Sequence, residues 1–133
     1  MRALSVRQPW VWAIIHAGKD VENRKWQTNL RETIAIHASG NLDKDAVLPG
    51  GRKPTDEDLK DRGCIIGVAE IVDVVTKSSS NWFVGPYGFV LKNPQSLPEP
   101  IPCKGALGFW RIPPDVLEEM EIQLTEGSDK PSA

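Results

Sequence analysis

Short apolar stretches alternate with polar links along the chain, and the period of each stretch predicts its element. Ala3 to Val6 (ALSV) reads as a first short strand. Gln8-Pro9 then opens a helix, with Pro9 at the first helical position, and the apolar run WVWAIIHA ends at Gly18, whose freedom at positive φ fits a C-terminal cap. Trp10, Val11, Ala13, Ile14 and Ala17 form a stripe that Trp12 and Ile15 widen, so this helix is expected to be covered on most sides, with both indoles in the core. Val21 to Trp26 reads as a strand with Glu22, Arg24 and Trp26 on one face and Val21, Asn23 and Lys25 on the other. In residues 33–39, Ile34, Ile36 and Ala38 alternate with Thr33, Ala35, His37 and Ser39, the pattern of a half-buried strand with His37 on its more polar face.

Residues 40–63 are polar and rich in turn formers, with short helices expected at Asp43 to Leu48 and at Asp56 to Asp61. For the second, Thr55 is the expected N-cap and Asp58 completes a capping box. Cys64 to Thr76 is β-branched and apolar on both faces, a central strand interrupted by Glu70. A carboxylate there needs a cation or a donor, and Arg24 or Lys19 is the expected partner, in a structural ion pair or as a functional acid. A Ser-rich loop leads to a strand at Tyr87 to Asn93, and the proline-rich LPEPIPCKG reads as a connection. ALGFWRI is another short strand, with Phe109 and Trp110 on opposite faces. Pro113-Pro114 starts a terminal helix, and residues 125–133 have the composition of a disordered tail. The expected architecture is α+β, a small strongly bent sheet or barrel of five or six strands with an N-terminal helix and short flanking helices, in a single domain over residues 1–124.

With 133 residues, 26% of them charged and 40% hydrophobic, the chain is in the range of one ordinary soluble domain. No apolar run approaches the roughly 18 residues a membrane helix needs, so no membrane partner is expected. Two cysteines without an apolar leader read as reduced thiols in a cytoplasmic protein. His16 and His37 stand in no metal-ligand spacing, and no phosphate loop, nucleophile elbow or dinucleotide fingerprint occurs, so neither metal nor cofactor is expected. For His37 a structural hydrogen-bonding role is favoured over a catalytic one. The net charge of −2 argues against a strongly basic, non-specific nucleic-acid binder, but the charge is unevenly placed. Residues 1–31 hold six Lys or Arg against two carboxylates, while residues 115–133 hold six carboxylates against one lysine. The basic end allows a local anionic site, and the acidic terminal helix allows a protein partner.

Chemistry is densest in Gly18 to Trp26 (GKDVENRKW). A carboxylate, a guanidinium and an indole on one strand face suit a planar polar ligand, since one accepts, one donates as a fork and one stacks. The alternative for the same residues is a surface ion pair with Trp26 capping the core.

These residues resemble a known family. LSVRQPWVWAII followed by KDVENRKW is similar to the ASCH domain, a relative of the PUA-like β-barrel modules, whose signature GxKxxExR is matched by Lys19, Glu22 and Arg24. The signature glycine falls on Ala17, with Gly18 one place later. The similarity continues through RGCIIGVAEIVD, KNPQ, IPCKG and Trp110, to about residue 112. It implies a barrel with a cleft beside the first helix, floored by the signature residues, that meets RNA or DNA or a nucleotide. The residues expected to line it are Arg7, Gln8, Trp10, Lys19, Glu22, Arg24, Lys25, Trp26, His37 and Ser39. Some members of the family are small enzymes, among them an amidohydrolase of acylated cytidine and a ribonuclease. The alternative expectation is therefore a hydrolase acting on a modified nucleoside or RNA through Lys19, Glu22 and Glu70, although the amidohydrolase pattern has threonine where Glu22 stands.

Overall fold

The computed structural model describes residues 1–129. Its elements are β1 (Arg2–Gln8), α1 (Trp10–His16), β2 (Val21–Arg24), β3 (Thr33–Leu42), α2 (Asp56–Leu59), β4 (Cys64–Val75), β5 (Tyr87–Pro102), β6 (Phe109–Arg111) and α3 (Pro114–Asp129). The strands form one sheet in the order β2-β5-β4-β3-β1-β6, in which β1 and β3 are parallel and the other pairs antiparallel. This is the expected α+β class and a PUA-like arrangement, but the sheet is bent and not closed, since no ladder joins β2 to β6. Side chains span the seam instead. Trp26, just beyond β2, meets Phe89 of β5 and Phe109 of β6 edge-on, with ring centroids 5.2 and 5.3 Å away. Arg24 Nη2 of β2 donates to the Ser5 carbonyl of β1 at 2.8 Å.

Two apolar clusters follow the alternation along the central strands. Leu4, Ile34, Ile36 and Ile66 join Val11 and Ile14 of α1 in one, while Ala3, Ala35 and Ile65 join Met120 of α3 in the other. Residues 34–38 are therefore buried throughout, not on one face as their pattern implied. With both faces of β3 covered, Ala35 is fully buried and His37 is only 2% exposed.

Several expected elements differ in detail. Pro9 precedes α1 as its N-cap instead of occupying the first helical position, and its carbonyl accepts from Ala13 N–H at 2.9 Å. Residues 43–48 form turns, not a helix, because Asp43 is already committed. Its N–H extends the β1–β3 pairing to the Gln8 carbonyl at 2.9 Å, and its carboxylate accepts from Asp45 N–H and from the Trp10 indole. The Thr55–Asp58 capping box forms as expected, on a single turn that ends at Leu59.

The proline-rich connection is the far half of the 16-residue β5. β2 pairs with β5 only over Tyr87 to Val90, so beyond that point one side of β5 is an edge, where prolines need no ladder partner. α3 covers part of it, and Gln123 Oε1 accepts the Glu99 N–H at 3.0 Å. α3 itself continues through Asp129, past the start of the expected tail, and residues 130–133 lie outside the described part.

Candidate nucleic-acid interface

Local turns bring the signature side chains together. At the end of α1, the N–H groups of Ala17 and Lys19 both donate to the Ala13 carbonyl at 3.0 Å, and Gly18 reverses the chain at φ +75°. A left-handed residue is required there, and the glycine stands at that position. The reversal folds Lys19 back on β2, where Nζ donates to the Val21 carbonyl and to Glu22 Oε1, the latter at 3.0 Å. Arg24, two places along the same strand face, donates Nε to Glu22 Oε2 at 3.1 Å, with Nη2 at 3.0 Å from the same oxygen. One carboxylate thus holds two cations. Lys19 and Glu22 are almost fully buried, while Arg24 keeps about a fifth of its side chain exposed. The Lys19 ammonium also stands 5.8 Å from the Trp10 ring centre, and Asp43 Oδ2 fixes that indole at 2.9 Å.

The opposite wall is built on the parallel pairing of Ser5 with His37. Cys103 O, which can only accept, lies 2.6 Å from His37 Nε2, so that nitrogen carries the proton. Nδ1 then accepts from the Ser5 hydroxyl at 3.0 Å, and Ser5 Oγ receives the Trp110 indole N–H at 3.1 Å. Burial lowers the His37 pKa below its ordinary value, and the bond to the Cys103 carbonyl only partly offsets this, which agrees with a neutral ring. Gly105 closes over the pair so tightly that a Cβ there would lie 2.5 Å from Ser5 Oγ.

Between these walls lies a cleft of about 1150 Å³ beside α1. Arg7, Trp10, Lys19, Glu22, Arg24, Lys25, Trp26, His37 and Ser39 all line it. Gln8 does not. It is buried, with Oε1 accepting the Trp12 N–H and Nε2 donating to the Asp61 carbonyl, so it ties the start of α1 to the segment after α2. Glu70 is also elsewhere, opposite Thr33 and Lys92 in the sheet, and accepts from Asn93 Nδ2 at 3.1 Å instead of pairing with Arg24 or Lys19. The set Lys19, Glu22 and Glu70 is therefore not assembled at one place. Trp26 is wedged in the seam by its two ring contacts, the core-capping alternative, with the rest of its surface on the cleft. Trp12 lies outside the cleft under the Arg52 guanidinium, 5.2 Å from its ring centre.

Sequence reasoning missed Ser5, Asn23 and the rim loops. Asn23 Nδ2 donates to the Trp82 carbonyl at 2.9 Å, and its Oδ1 accepts from the N–H groups of Val84 and Gly85 at 2.8 and 3.0 Å. It latches residues 82–85 onto the cleft wall. An asparagine inside the signature facing away from Glu22 was the available signal. Among the described residues no group of His, Cys, Asp and Glu could hold a metal ion, and no helix is long and apolar enough to cross a membrane.

A bent, open six-stranded sheet with a charged cleft beside its first helix defines a PUA-like α+β domain. The sequence profile of the ASCH domain matches residues 4–97, and the chain belongs to the ASCH domain family. Among similar proteins are Activating signal cointegrator 1 of Homo sapiens, 26% identical over 126 residues, and Activating signal cointegrator 1 of Mus musculus, 26% identical over 130. Each alignment covers 82% of this chain but 22% of the relative, so the chain spans about a fifth of the length of these curated proteins.

Proposed function

We propose that the cleft beside α1 binds nucleic acid, RNA or DNA, and that this is the chain's function. The observation that carries the reading is the grouping of Arg7, Arg24 and Lys25 in one cleft whose most deeply placed carboxylate, Glu22, is already committed to Lys19 and Arg24. Arg7 and Lys25 are exposed and make no ion pair among the described residues, so both are free to meet phosphate. The partly exposed Arg24 guanidinium, its Nε and Nη2 held by Glu22 and the Ser5 carbonyl, has its Nη1 donors left for the polar edge of a base. Membership of a family generally held to bind RNA agrees with this reading. Lys19, whose ammonium is occupied by Glu22 and the Val21 carbonyl, is better suited to holding the floor in shape than to proton transfer.

Binding of labelled RNA and DNA at two salt concentrations, compared between the parent protein and Arg7→Ala and Lys25→Ala, tests the proposal. Each substitution is expected to weaken binding and to reduce the slope of log affinity against log salt by about one phosphate contact. Absence of binding to every oligonucleotide, or binding whose salt slope neither substitution alters, would overturn it.

A further inference from the structure

The mouth of the cleft carries aliphatic side chains that its charged floor does not explain. The large hydrophobic side chains exposed among the described residues are Met1, Val47, Val84, Leu107 and Ile122. Val47, Val84 and Leu107 all line this cleft, each from a different loop, and are 54%, 83% and 97% exposed. Single exposed aliphatic residues are ordinary, but these three stand on loops lining one charged cleft, and so place apolar surface where a ligand of that cleft would lie.

The loops that carry them have local structure of their own. Residue 47 sits beside the Leu48–Arg52 bridge, in which Leu48 N–H donates to the Arg52 carbonyl at 2.8 Å. Val84 is held by its own N–H on Asn23 Oδ1. Leu107 stands between Gly105, packed against Ser5 and His37, and Gly108, at φ +65°. All three side chains are exposed and share the cleft lining with the exposed cations Arg7 and Lys25.

We infer that these aliphatic tips contact the faces of unpaired bases, so that the cleft selects single-stranded over double-stranded nucleic acid. This rests on the nucleic-acid reading above and deepens it. A duplex stacks its base faces inside and offers phosphates and base edges, against which an aliphatic tip loses water and gains little. A single strand offers open, flat, apolar faces at intervals along an anionic backbone, which matches aliphatic tips set among Arg and Lys.

The test compares a labelled single strand of about a dozen nucleotides with the corresponding duplex, binding to the full chain and to the double variant Leu107→Ser/Val84→Ser. Both changes are on the surface, and circular dichroism and thermal melting check that the fold is retained. The expected result is tighter binding of the single strand by the parent protein. The double variant should lose about tenfold in affinity for it with an unchanged salt slope, since no phosphate contact is removed, and keep its duplex affinity. Equal affinity of the parent for both forms, or a double variant that binds the single strand as well as the parent does, overturns the inference and leaves the nucleic-acid reading standing. Absence of any nucleic-acid binding overturns both. Tighter binding of an acidic, leucine-rich peptide than of the single strand overturns the inference in favour of a protein partner.

Discussion

Lys19 and Glu22 are 4% and 7% exposed, and each leaves a buried charge behind if the other is removed. Removing one partner of a buried pair costs about 3 to 5 kcal/mol. The two removals are not equivalent here, because Glu22 keeps the charge of Arg24 when Lys19 is lost, whereas Lys19 keeps the Val21 carbonyl and the Trp10 ring but no anion when Glu22 is lost. Glu22→Gln is therefore expected to be more destabilising than Lys19→Met, with the latter near about 3 kcal/mol. Urea unfolding midpoints at constant slope measure both, and the reverse order would contradict the account. His37 gives a pH dependence. Its pKa in the fold is lowered from 6.5, mainly by burial, so below 6.5 the unfolded chain binds a proton that the native state resists. Its contribution is complete above 6.5 and is lost as pH falls towards the lowered value. Stability of the parent should fall more steeply between about pH 7 and about pH 5 than that of His37→Gln, as read by unfolding midpoints across that range. Glu22 and Arg24 were legible in the sequence because alternate strand positions put them on one face, and Lys19 through the signature, although it reaches Glu22 only by the turn at Gly18. Ser5 was not, since its role exists only through pairing with His37, 32 residues away, and no local pattern carries that register.

At the scale of elements, the Asn23 latch makes β2 and residues 82–85 one unit. Asn23→Ala removes three hydrogen bonds, to Trp82, Val84 and Gly85, and leaves partly exposed backbone groups to find water. The expected cost is about 1 to 3 kcal/mol. Most of it should be read locally, as faster hydrogen exchange at Val84 and Gly85 while the amides of β3 and β4 keep their protection. Uniform loss of protection across the sheet would contradict a local latch. α1, β3 and β4 were legible because each carries an apolar run or period of its own, and α2 because Thr55 and Asp58 stand at capping-box spacing. The far half of β5 was not, because four prolines between residues 94 and 102 mask a strand whose outer side is an edge. Nor could the sequence show that α3 would bury the outer face of β3 and so turn a half-buried pattern into a fully buried strand.

For the whole molecule, the bend of the sheet makes the cleft. β2 and β6 are the two edges, and the Arg24–Ser5 bond and the Trp26–Phe109 contact draw them together without a ladder. The signature on β2 thereby faces β1 and the 103–108 loop. The uneven charge read from the sequence has its counterpart here, with Arg7, Arg24 and Lys25 at the cleft and the carboxylates of residues 115–126 on α3. The measurement that tests the central claim most directly is an amide chemical-shift map of the ¹⁵N-labelled chain during titration with RNA and with DNA oligonucleotides. The account predicts that at least one of them shifts Arg7, Asn23 to Trp26, Val84 and Gly105 to Gly108, and leaves α2 and α3 unmoved. Shifts concentrated on α3 and the outer edge of β5, or none at saturating oligonucleotide, would contradict it.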